Sequence, residues 1–331
     1  TLNPVVDAPG VYILTVENLQ NGCTTTAQTV VLQNITPPVA QAAAPNEITC
    51  ADPVVSLNGT GSSTGTDFTY DWSGGQITGG QNTLAPTVSA AGTYSLTVTD
   101  QTNGCTTTAT ATVGSNTTPP TVVIAAPATL TCVQNSATLN GSGSSSGANF
   151  SPIWTTSNGQ FVSGQNTLSP VVNQSGTYIL TIQNLQNGCA ETAQTVVLQN
   201  IAPPGADAGL SPELHCNQPE ATLQGSSPTT GSMTYSWSTT NGNIVSGSTT
   251  QTPLVDAAGS YALTVTDPAN GCTSTAAVLV TEVPPPAFTP ELMQPDCHDS
   301  KGAVDLGAVM GGAAPFQYSK DGGQTFQSQP F

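Results

Sequence analysis

The sequence has almost no positive charge. The 331-residue chain contains two Lys and no Arg against 19 Asp and Glu, which gives a net charge of −17. Both lysines, Lys301 and Lys320, lie near the end, so residues 1–300 have no Lys or Arg for ion pairs. Nucleic-acid binding needs clustered cations that displace phosphate counterions. An anionic membrane surface would also repel this chain. The composition therefore excludes both kinds of partner.

Long apolar runs are absent too, and aromatic residues make up only 5% of the chain. No stretch has the length and hydrophobicity of a membrane-spanning helix, so we expect no membrane insertion. What the chain has instead is Thr, Ser, Val and Asn, together with 33 Gly and 26 Pro. Thr and Val favour strands, while Gly, Pro and Asn favour turns. The composition predicts an all-β, secreted protein.

Internal repeats organise the chain, with a period of about 83 residues. Four segments align without gaps and end in Asn-Gly-Cys: residues 10–23, 92–105, 176–189 and 259–272. Two further series keep the same step; they are Cys50, Cys132, Cys216 and Cys297, and Trp72, Trp154 and Trp237. We predict three complete repeats, here called the first (39–120), second (121–204) and third (205–286). Residues 1–38 would be the C-terminal half of a repeat, and residues 287–331 the N-terminal half of a divergent one.

The two half-repeats together amount to one period and would join in register, with Gln329-Pro330-Phe331 followed by Thr1-Leu2. Two explanations stay open. The chain is a window cut from a longer tandem-repeat polypeptide, or separate subunits complete each other's half-domains by strand complementation.

Within a repeat, the pattern predicts strands throughout. Tyr94, Leu96 and Val98 alternate with polar residues, as in a half-buried strand, and no stretch has a helical apolar period. Asn103-Gly104 then suits a tight hairpin turn. We expect tandem Ig-like antiparallel β-sandwiches.

Three motifs in each repeat resemble a known group of proteins. In the first repeat they are Ile48-Thr49-Cys50, Tyr70-Asp71-Trp72 and the segment Gly92 to Cys105. The chain is similar to the Ig-like and PKD-like repeats of Bacteroidota surface adhesins, including SprB-type repeats of gliding-motility adhesins. The last half-repeat, with Tyr318 where Trp would stand, is nearer the SprB type. The resemblance implies type IX secretion and a role in adhesion or surface filaments.

The eight cysteines indicate an oxidising, extracellular compartment. We favour pairing within each repeat, which is Cys50–Cys105, Cys132–Cys189 and Cys216–Cys272, with Cys23 and Cys297 pairing outside this chain. Each such loop would contribute roughly 4 kcal/mol in the chain-entropy model. The competing arrangement links neighbouring repeats through Cys50–Cys189 and Cys132–Cys272, because the two cysteines of one repeat would lie at opposite ends of an Ig order.

The aromatic residues are predicted to be structural. Trp72, Trp154 and Trp237 lie on a central strand, where a core position is expected more than an exposed sugar-stacking one. Equivalent tyrosines are expected to anchor a corner before the penultimate strand; they are Tyr12, Tyr94, Tyr178 and Tyr261.

No metal or cofactor is expected. The run Asp296-Cys297-His298-Asp299-Ser300 resembles a metal site, but His215 lies in another repeat and zinc needs about four ligands. Calcium binding is the alternative, through Asp67, Asp71, Asp100 and Asp267. However, Asn18 and Asn184 replace Asp100 in other segments, which suits a turn residue.

No nucleophile–base pair, phosphate loop or carboxylate dyad recurs between repeats. The sequence therefore predicts a non-enzymatic repeat region of a cell-surface adhesin stalk or extracellular fibre. Its partners would be copies of itself or the continuation of the same chain. One alternative is a module that binds surface glycans or proteins through loops such as Gly61–Gly65. The other is the accessory repeats of a larger secreted enzyme.

Overall fold

The structure is a computed structural model that describes residues 3–295 and 302–329. Across these residues it contains strands and no helix. The first two strands form one antiparallel hairpin, which we call the leading hairpin. Its strands are β1 (Gly10–Glu17) and β2 (Thr24–Val31).

Each complete repeat then contributes seven or eight short strands. Those of the first repeat are β3 (Ile48–Thr49), β4 (Val55–Ser56), β5 (Phe68–Ser73), β6 (Ile77–Gly79), β7 (Thr87–Val88), β8 (Gly92–Asp100), β9 (Thr106–Val113) and β10 (Ser115–Asn116). Those of the second repeat are β11 (Leu130–Thr131), β12 (Ala137–Thr138), β13 (Phe150–Thr156), β14 (Phe161–Ser163), β15 (Val171–Val172), β16 (Gly176–Asn184), β17 (Ala190–Val197) and β18 (Gln199–Asn200). Those of the third repeat are β19 (Glu213–Leu214), β20 (Ala221–Thr222), β21 (Thr234–Thr239), β22 (Ile244–Ser246), β23 (Leu254–Val255), β24 (Gly259–Thr266) and β25 (Thr273–Glu282).

The remaining part, residues 287–331, is called the trailing segment. Among its described residues the strands are β26 (Glu291–Met293) and β27 (Ala303–Asp305), which pair antiparallel. Ala287 and Met310 exchange backbone hydrogen bonds of 2.7 Å in both directions. Ala43 and Asn58 make the same isolated bridge at the start of the first repeat. The trailing segment thus begins as a complete repeat begins.

Two sheets face each other in every complete repeat. The larger one joins the Trp-bearing strand to the two strands of the hairpin that carries the Asn-Gly turn, in the orders β5-β8-β9, β13-β16-β17 and β21-β24-β25-β19. The smaller one has the orders β4-β7-β6, β12-β15-β14 and β20-β23-β22. The structure is therefore an all-β chain of tandem Ig-like sandwiches.

Each sandwich has its own apolar core, because alternate residues of the hairpin strands face the smaller sheet. In the first repeat, Trp72, Tyr94 and Leu96 are fully buried and pack with Val88 of the smaller sheet. Equivalent cores form around Trp154 in the second repeat and Trp237 in the third. The three cores lie within the three complete repeats of the sequence.

Buried polar atoms of the aromatic residues are paired. The indole nitrogens of the three tryptophans donate to the backbone oxygens of Thr83, Thr167 and Thr250 at 2.9, 3.0 and 3.1 Å. Tyr94 donates to the backbone oxygen of Ala90 at 2.7 Å, and Tyr178 and Tyr261 repeat this bond four residues back. Core anchoring explains these aromatics without a sugar-binding role.

Candidate functional site at the junctions between repeats

The first junction is closed by a disulfide between neighbouring repeats. Cys50, at the end of β3 in the first repeat, bonds Cys189 of the second repeat, with 5.0 Å between their Cα atoms. Cys189 directly follows the turn between β16 and β17, so this turn of the second repeat lies against the far end of the first. The bond therefore holds two sandwiches together rather than closing one.

The second junction repeats the first. Cys132 of the second repeat bonds Cys272 of the third, with 5.1 Å between their Cα atoms. Two disulfides with sequence separations of 139 and 140 residues are characteristic of an oxidising, extracellular setting.

The expectation of pairing within each repeat is wrong for the described cysteines. Cys50 lies beside the far end of β9, because β3 pairs with β10, whereas Cys105 directly precedes the start of β9. Eight strand residues separate the two ends by roughly 25 Å. A disulfide needs Cα atoms about 5–6 Å apart. The cysteines of one repeat therefore cannot bond each other, and the same geometry separates Cys132 from Cys189 and Cys216 from Cys272.

Three cysteines have no disulfide partner among the described residues. Cys23 and Cys216 are exposed, and Cys105 is half-buried. Cys297, predicted to pair outside this chain, lies outside the described residues.

A buried asparagine reinforces each disulfide-closed junction. Asn187 precedes Cys189 by two residues, and its side-chain nitrogen donates to Asn116 Oδ1 and to the backbone oxygen of Thr118, both at 3.0 Å. Its side-chain oxygen accepts the backbone N–H of Cys189 at 2.9 Å. Asn187 is almost completely buried, so losing these bonds would leave an amide without water or partner.

The third repeat uses Asn270 in the same way. Its side-chain nitrogen donates to Asn200 Oδ1 at 3.1 Å and to the backbone oxygen of Ala202 at 3.0 Å. The Asn-Gly-Cys motif, predicted only as a hairpin turn, is therefore also a docking element. Its recurrence, together with Asn116 and Asn200 in the linkers of the two disulfide-closed junctions, was the available signal for this role.

Glycine is required in this motif by close approach as well as by backbone angle. Gly188 has φ of +71°, and a Cβ there would lie 2.6 Å from the Cβ of Ala51 in the preceding repeat. Gly271 has φ of +70° and would meet Val133 at the same distance. Any other residue would be strained and would also push the two repeats apart.

Short parallel strand pairs bring each linker back against its own repeat. β10 pairs with β3, β18 with β11, and β19 with the end of β25. These pairings place Cys50, Cys132 and Cys216 close to the linkers that lead to the next sandwich. The disulfide, the asparagine and the strand pair thus meet within one small region.

The loop considered for glycan binding is fixed to the linker. The Ser62 hydroxyl accepts the backbone N–H of Gln41 at 2.9 Å and donates to the backbone oxygen of the same residue at 3.2 Å. Ser63 accepts the N–H of Val39 at 2.9 Å. Ser144 and Ser145 bind the next linker in the same way. These hydroxyl groups hold the loop to the linker backbone by hydrogen bonds.

The described residues contain no cluster of three or more His, Cys, Asp or Glu that could hold a metal. The considered calcium ligands are dispersed and bound to protein groups. Asp71 accepts from the Gln81 side chain at 3.1 Å, and Asp100 accepts from its neighbour Thr102. The run from Asp296 to Ser300, with His298, lies outside the described residues. Over residues 3–295 and 302–329, no helix has the length and apolar character to cross a membrane.

No protein-family model and no curated protein matches the sequence. Among solved structures, the titin I-band fragment I67–I69 is 14% identical, covering 75% of this chain and 99% of that chain, with a TM-score of 0.36. The N-terminal eight Ig domains of Down Syndrome Cell Adhesion Molecule are 12% identical, covering 83% and 40%, with a TM-score of 0.34. Sidekick-1 immunoglobulin domains 1–5 are 13% identical, covering 83% and 66%, at 0.27. At these values the likeness extends to tandem Ig-like architecture alone.

Proposed function

We propose that the chain is a non-enzymatic structural region of an extracellular stalk or fibre of the adhesin type, built to transmit tension while extending little. The observation that supports this most strongly is the disulfide between each pair of neighbouring complete repeats. Type IX export and a place among SprB-type surface repeats belong to the same proposal. They rest on the sequence resemblance.

The two disulfides interlock along the chain. Tension that enters at Cys50 passes through sulfur to Cys189. From Cys189 the shortest covalent path to Cys272 follows the backbone in the N-terminal direction to Cys132. It then crosses the second disulfide. If every sandwich unfolded, this path would have a contour length of about 57 residues, which is roughly 200 Å at about 3.6 Å a residue. The same stretch without disulfides would have a contour length of roughly 800 Å.

The junctions also resist bending. A hinge at a linker would have to break the buried asparagine bonds and separate the surfaces that meet at Gly188 and Ala51. The disulfide is a second covalent connection beside the linker, so rotation about the linker alone is restricted. Chain length and stiffness then account for the role without a ligand site.

Distance measurements between neighbouring repeats test the proposal. Non-canonical amino acids at the exposed positions Thr108 and Gln194 would carry two labels without adding cysteines. We expect one narrow distance distribution in the oxidised chain and a broader one in a Cys50→Ser/Cys189→Ser variant. Cys216→Ser is the matched control, because it removes a cysteine outside this junction. A distribution as broad in the oxidised chain as in the double variant would overturn the proposed role.

A further inference from the structure

The two junction disulfides are asymmetric, and in the same direction. Cys189 and Cys272, which follow the Asn-Gly turns, are only 2% and 1% exposed. Their partners Cys50 and Cys132, which follow short strands of the preceding repeat, are exposed. Each junction therefore presents one cysteine to solvent and encloses the other in the contact between two sandwiches.

Backbone and side-chain hydrogen bonds hold the buried cysteine of the first junction. The Cys189 N–H donates to Asn187 Oδ1 at 2.9 Å, and the Cys189 backbone oxygen accepts the N–H of Asn184 at 2.8 Å. The backbone oxygen of Asn187 accepts the N–H of Ala51, in the first repeat, at 3.1 Å. These bonds join the turn to the preceding repeat and do not involve sulfur, so they can position Cys189 before a disulfide forms.

The second junction has the same arrangement. The Cys272 N–H donates to Asn270 Oδ1 at 2.9 Å, and the Cys272 backbone oxygen accepts the N–H of Asp267 at 3.0 Å. The backbone oxygen of Asn270 accepts the N–H of Cys132, in the second repeat, at 3.1 Å. The asymmetry is therefore a property of the junction and not of one repeat.

Access to each sulfur decides where a disulfide can react. In thiol–disulfide exchange the attacking sulfur approaches along the S–S axis, from the side opposite the leaving sulfur, so the rate depends on which sulfur is accessible. Attack on Cys50 comes from solvent and expels the sulfur of Cys189. Attack on Cys189 would have to pass through the turn and the repeat that bury it. One sulfur of each pair is open to reagents.

We propose that Cys50 and Cys132 are the thiol–disulfide exchange sites of the junctions, and that Cys189 and Cys272 are resolving cysteines that react only with them. The reagent is a soluble disulfide oxidant. When a junction closes, the Cys50 thiolate attacks one sulfur of the oxidant and expels the other as a thiolate. The Cys189 thiolate then attacks the Cys50 sulfur and expels the remaining half. Two thiols lose two protons and two electrons, and the oxidant becomes two thiols.

This assignment explains how a folded chain can be cross-linked. Because the turn places Cys189 beside Cys50 before the bond forms, the second step takes place within one molecule and needs no access to Cys189 from solvent. A foreign group on Cys50 would be displaced in the same way, so the junction would return to its closed form. The inference concerns the closing reaction and does not depend on the proposed mechanical role.

Single cysteine variants of the 331-residue chain test the assignment. Cys189→Ser leaves Cys50 as the thiol of the first junction, and Cys50→Ser leaves Cys189. Each variant is treated with 2-hydroxyethyl disulfide, which is uncharged and so is not repelled by the net charge of −17. After acid quenching and pepsin digestion, mass spectrometry measures the adduct on each cysteine. We expect Cys50 to be modified at least about tenfold faster than Cys189. The Cys132–Cys272 peptide, linked in both variants, reports correct folding of the second junction.

Equal rates, or a faster reaction at Cys189, would overturn the assignment. A junction that opens in the Cys50→Ser variant would also give equal rates. That result contradicts the proposal too, because the turn must hold Cys189 before the bond forms.

The turn itself is tested by a further substitution in the Cys50→Ser variant. Asn187→Ala removes the side-chain bonds that hold the turn, and we expect the modification rate of Cys189 to rise towards that of Cys50. Gln186→Ala is the matched control, because Gln186 lies in the same turn and is exposed. No rise with Asn187→Ala, or an equal rise with Gln186→Ala, would contradict positioning of Cys189 by the docked turn. Neither result alters the distance distribution of the oxidised chain, which tests the structural role separately.

Discussion

The leading hairpin and the hairpin of the second repeat have almost the same sequence and different surroundings. Residues 10–23 read GVYILTVENLQNGC and residues 176–189 read GTYILTIQNLQNGC. Both pair antiparallel in the same register, with Leu14 opposite Ala27 and Leu180 opposite Ala193. Yet the apolar face is buried in the second repeat and open in the leading hairpin.

This difference shows which properties of a hairpin depend on its own sequence and which depend on the neighbouring sheet and repeat. Strand pairing, the Asn-Gly turn and the bond from Cys N–H to the Asn side chain are local, and both hairpins have them. Burial of the core face requires the opposite sheet, and a disulfide requires the preceding repeat. The same fourteen positions are therefore a finished core element where the opposite sheet is present and an exposed face where it is not.

The largest expected contrast comes from the core leucines. Leu180→Ala should destabilise the second repeat by about 2–5 kcal/mol, because it removes buried contacts and leaves a cavity. Leu14→Ala should change the stability of the 331-residue chain hardly at all, since Leu14 is already exposed. Hydrogen exchange resolved to β1 and β16 measures both effects in one protein. Equal losses of protection at the two hairpins would refute the contrast.

The junction asparagines should give the next largest effect. Asn187→Ala would leave Asn116 and the backbone oxygen of Thr118 without their buried donor, at a cost of about 1–3 kcal/mol. Asn21→Ala would lose only the turn bond to Cys23. We expect faster exchange at β10 and β17 and faster reduction of Cys50–Cys189 in the first variant alone. Unchanged reduction rates would argue against the docking role of Asn187.

Sequence alone predicted the hairpins and the core aromatics well, because short local sequence patterns determine both. Alternation at Tyr94, Leu96 and Val98 matches strand β8, and the Trp series lies in the cores. The partner of Cys50 could not be settled in this way. Cys105 and Cys189 both end an Asn-Gly-Cys turn, and only the length of β9, which separates Cys50 from Cys105, decides between them. Fixing of Ser62 and Ser63 to the linker depended on contacts between segments that no local pattern shows.

A smaller contrast concerns the corner tyrosines. The Tyr178 hydroxyl donates to the backbone oxygen of Gln174 at 2.7 Å and accepts the N–H of Gln160 at 3.0 Å. Tyr12 donates to Ala8 at 2.6 Å in an exposed setting. Tyr178→Phe should therefore cost about 1–2 kcal/mol and Tyr12→Phe much less. Urea unfolding of the two single variants, compared with the parent chain, measures the difference. A larger loss from Tyr12→Phe would reverse the expected order.

The smallest effect concerns the first residue of the turn, which is Asp100 in the first repeat and Asn184 in the second. The Thr102 hydroxyl donates to Asp100 Oδ1 at 2.7 Å and the Thr102 backbone N–H at 2.8 Å. These bonds favour the carboxylate, so they lower the pKa of Asp100 below its usual value.

A carboxyl group whose pKa is lower in the folded state contributes stability that is complete above its unfolded pKa, near 4. That contribution is lost as the pH falls through the lower folded pKa, so the affected window lies below about pH 4. Asp100→Asn should remove this part of the acid sensitivity of the first repeat and leave that of the second repeat, which already has Asn184, unchanged. An NMR titration of the Thr102 amide from pH 5 to pH 2, paired with the Gln186 amide as the control, measures it. A Thr102 midpoint at or above the usual Asp pKa would show that the turn does not favour the charged form.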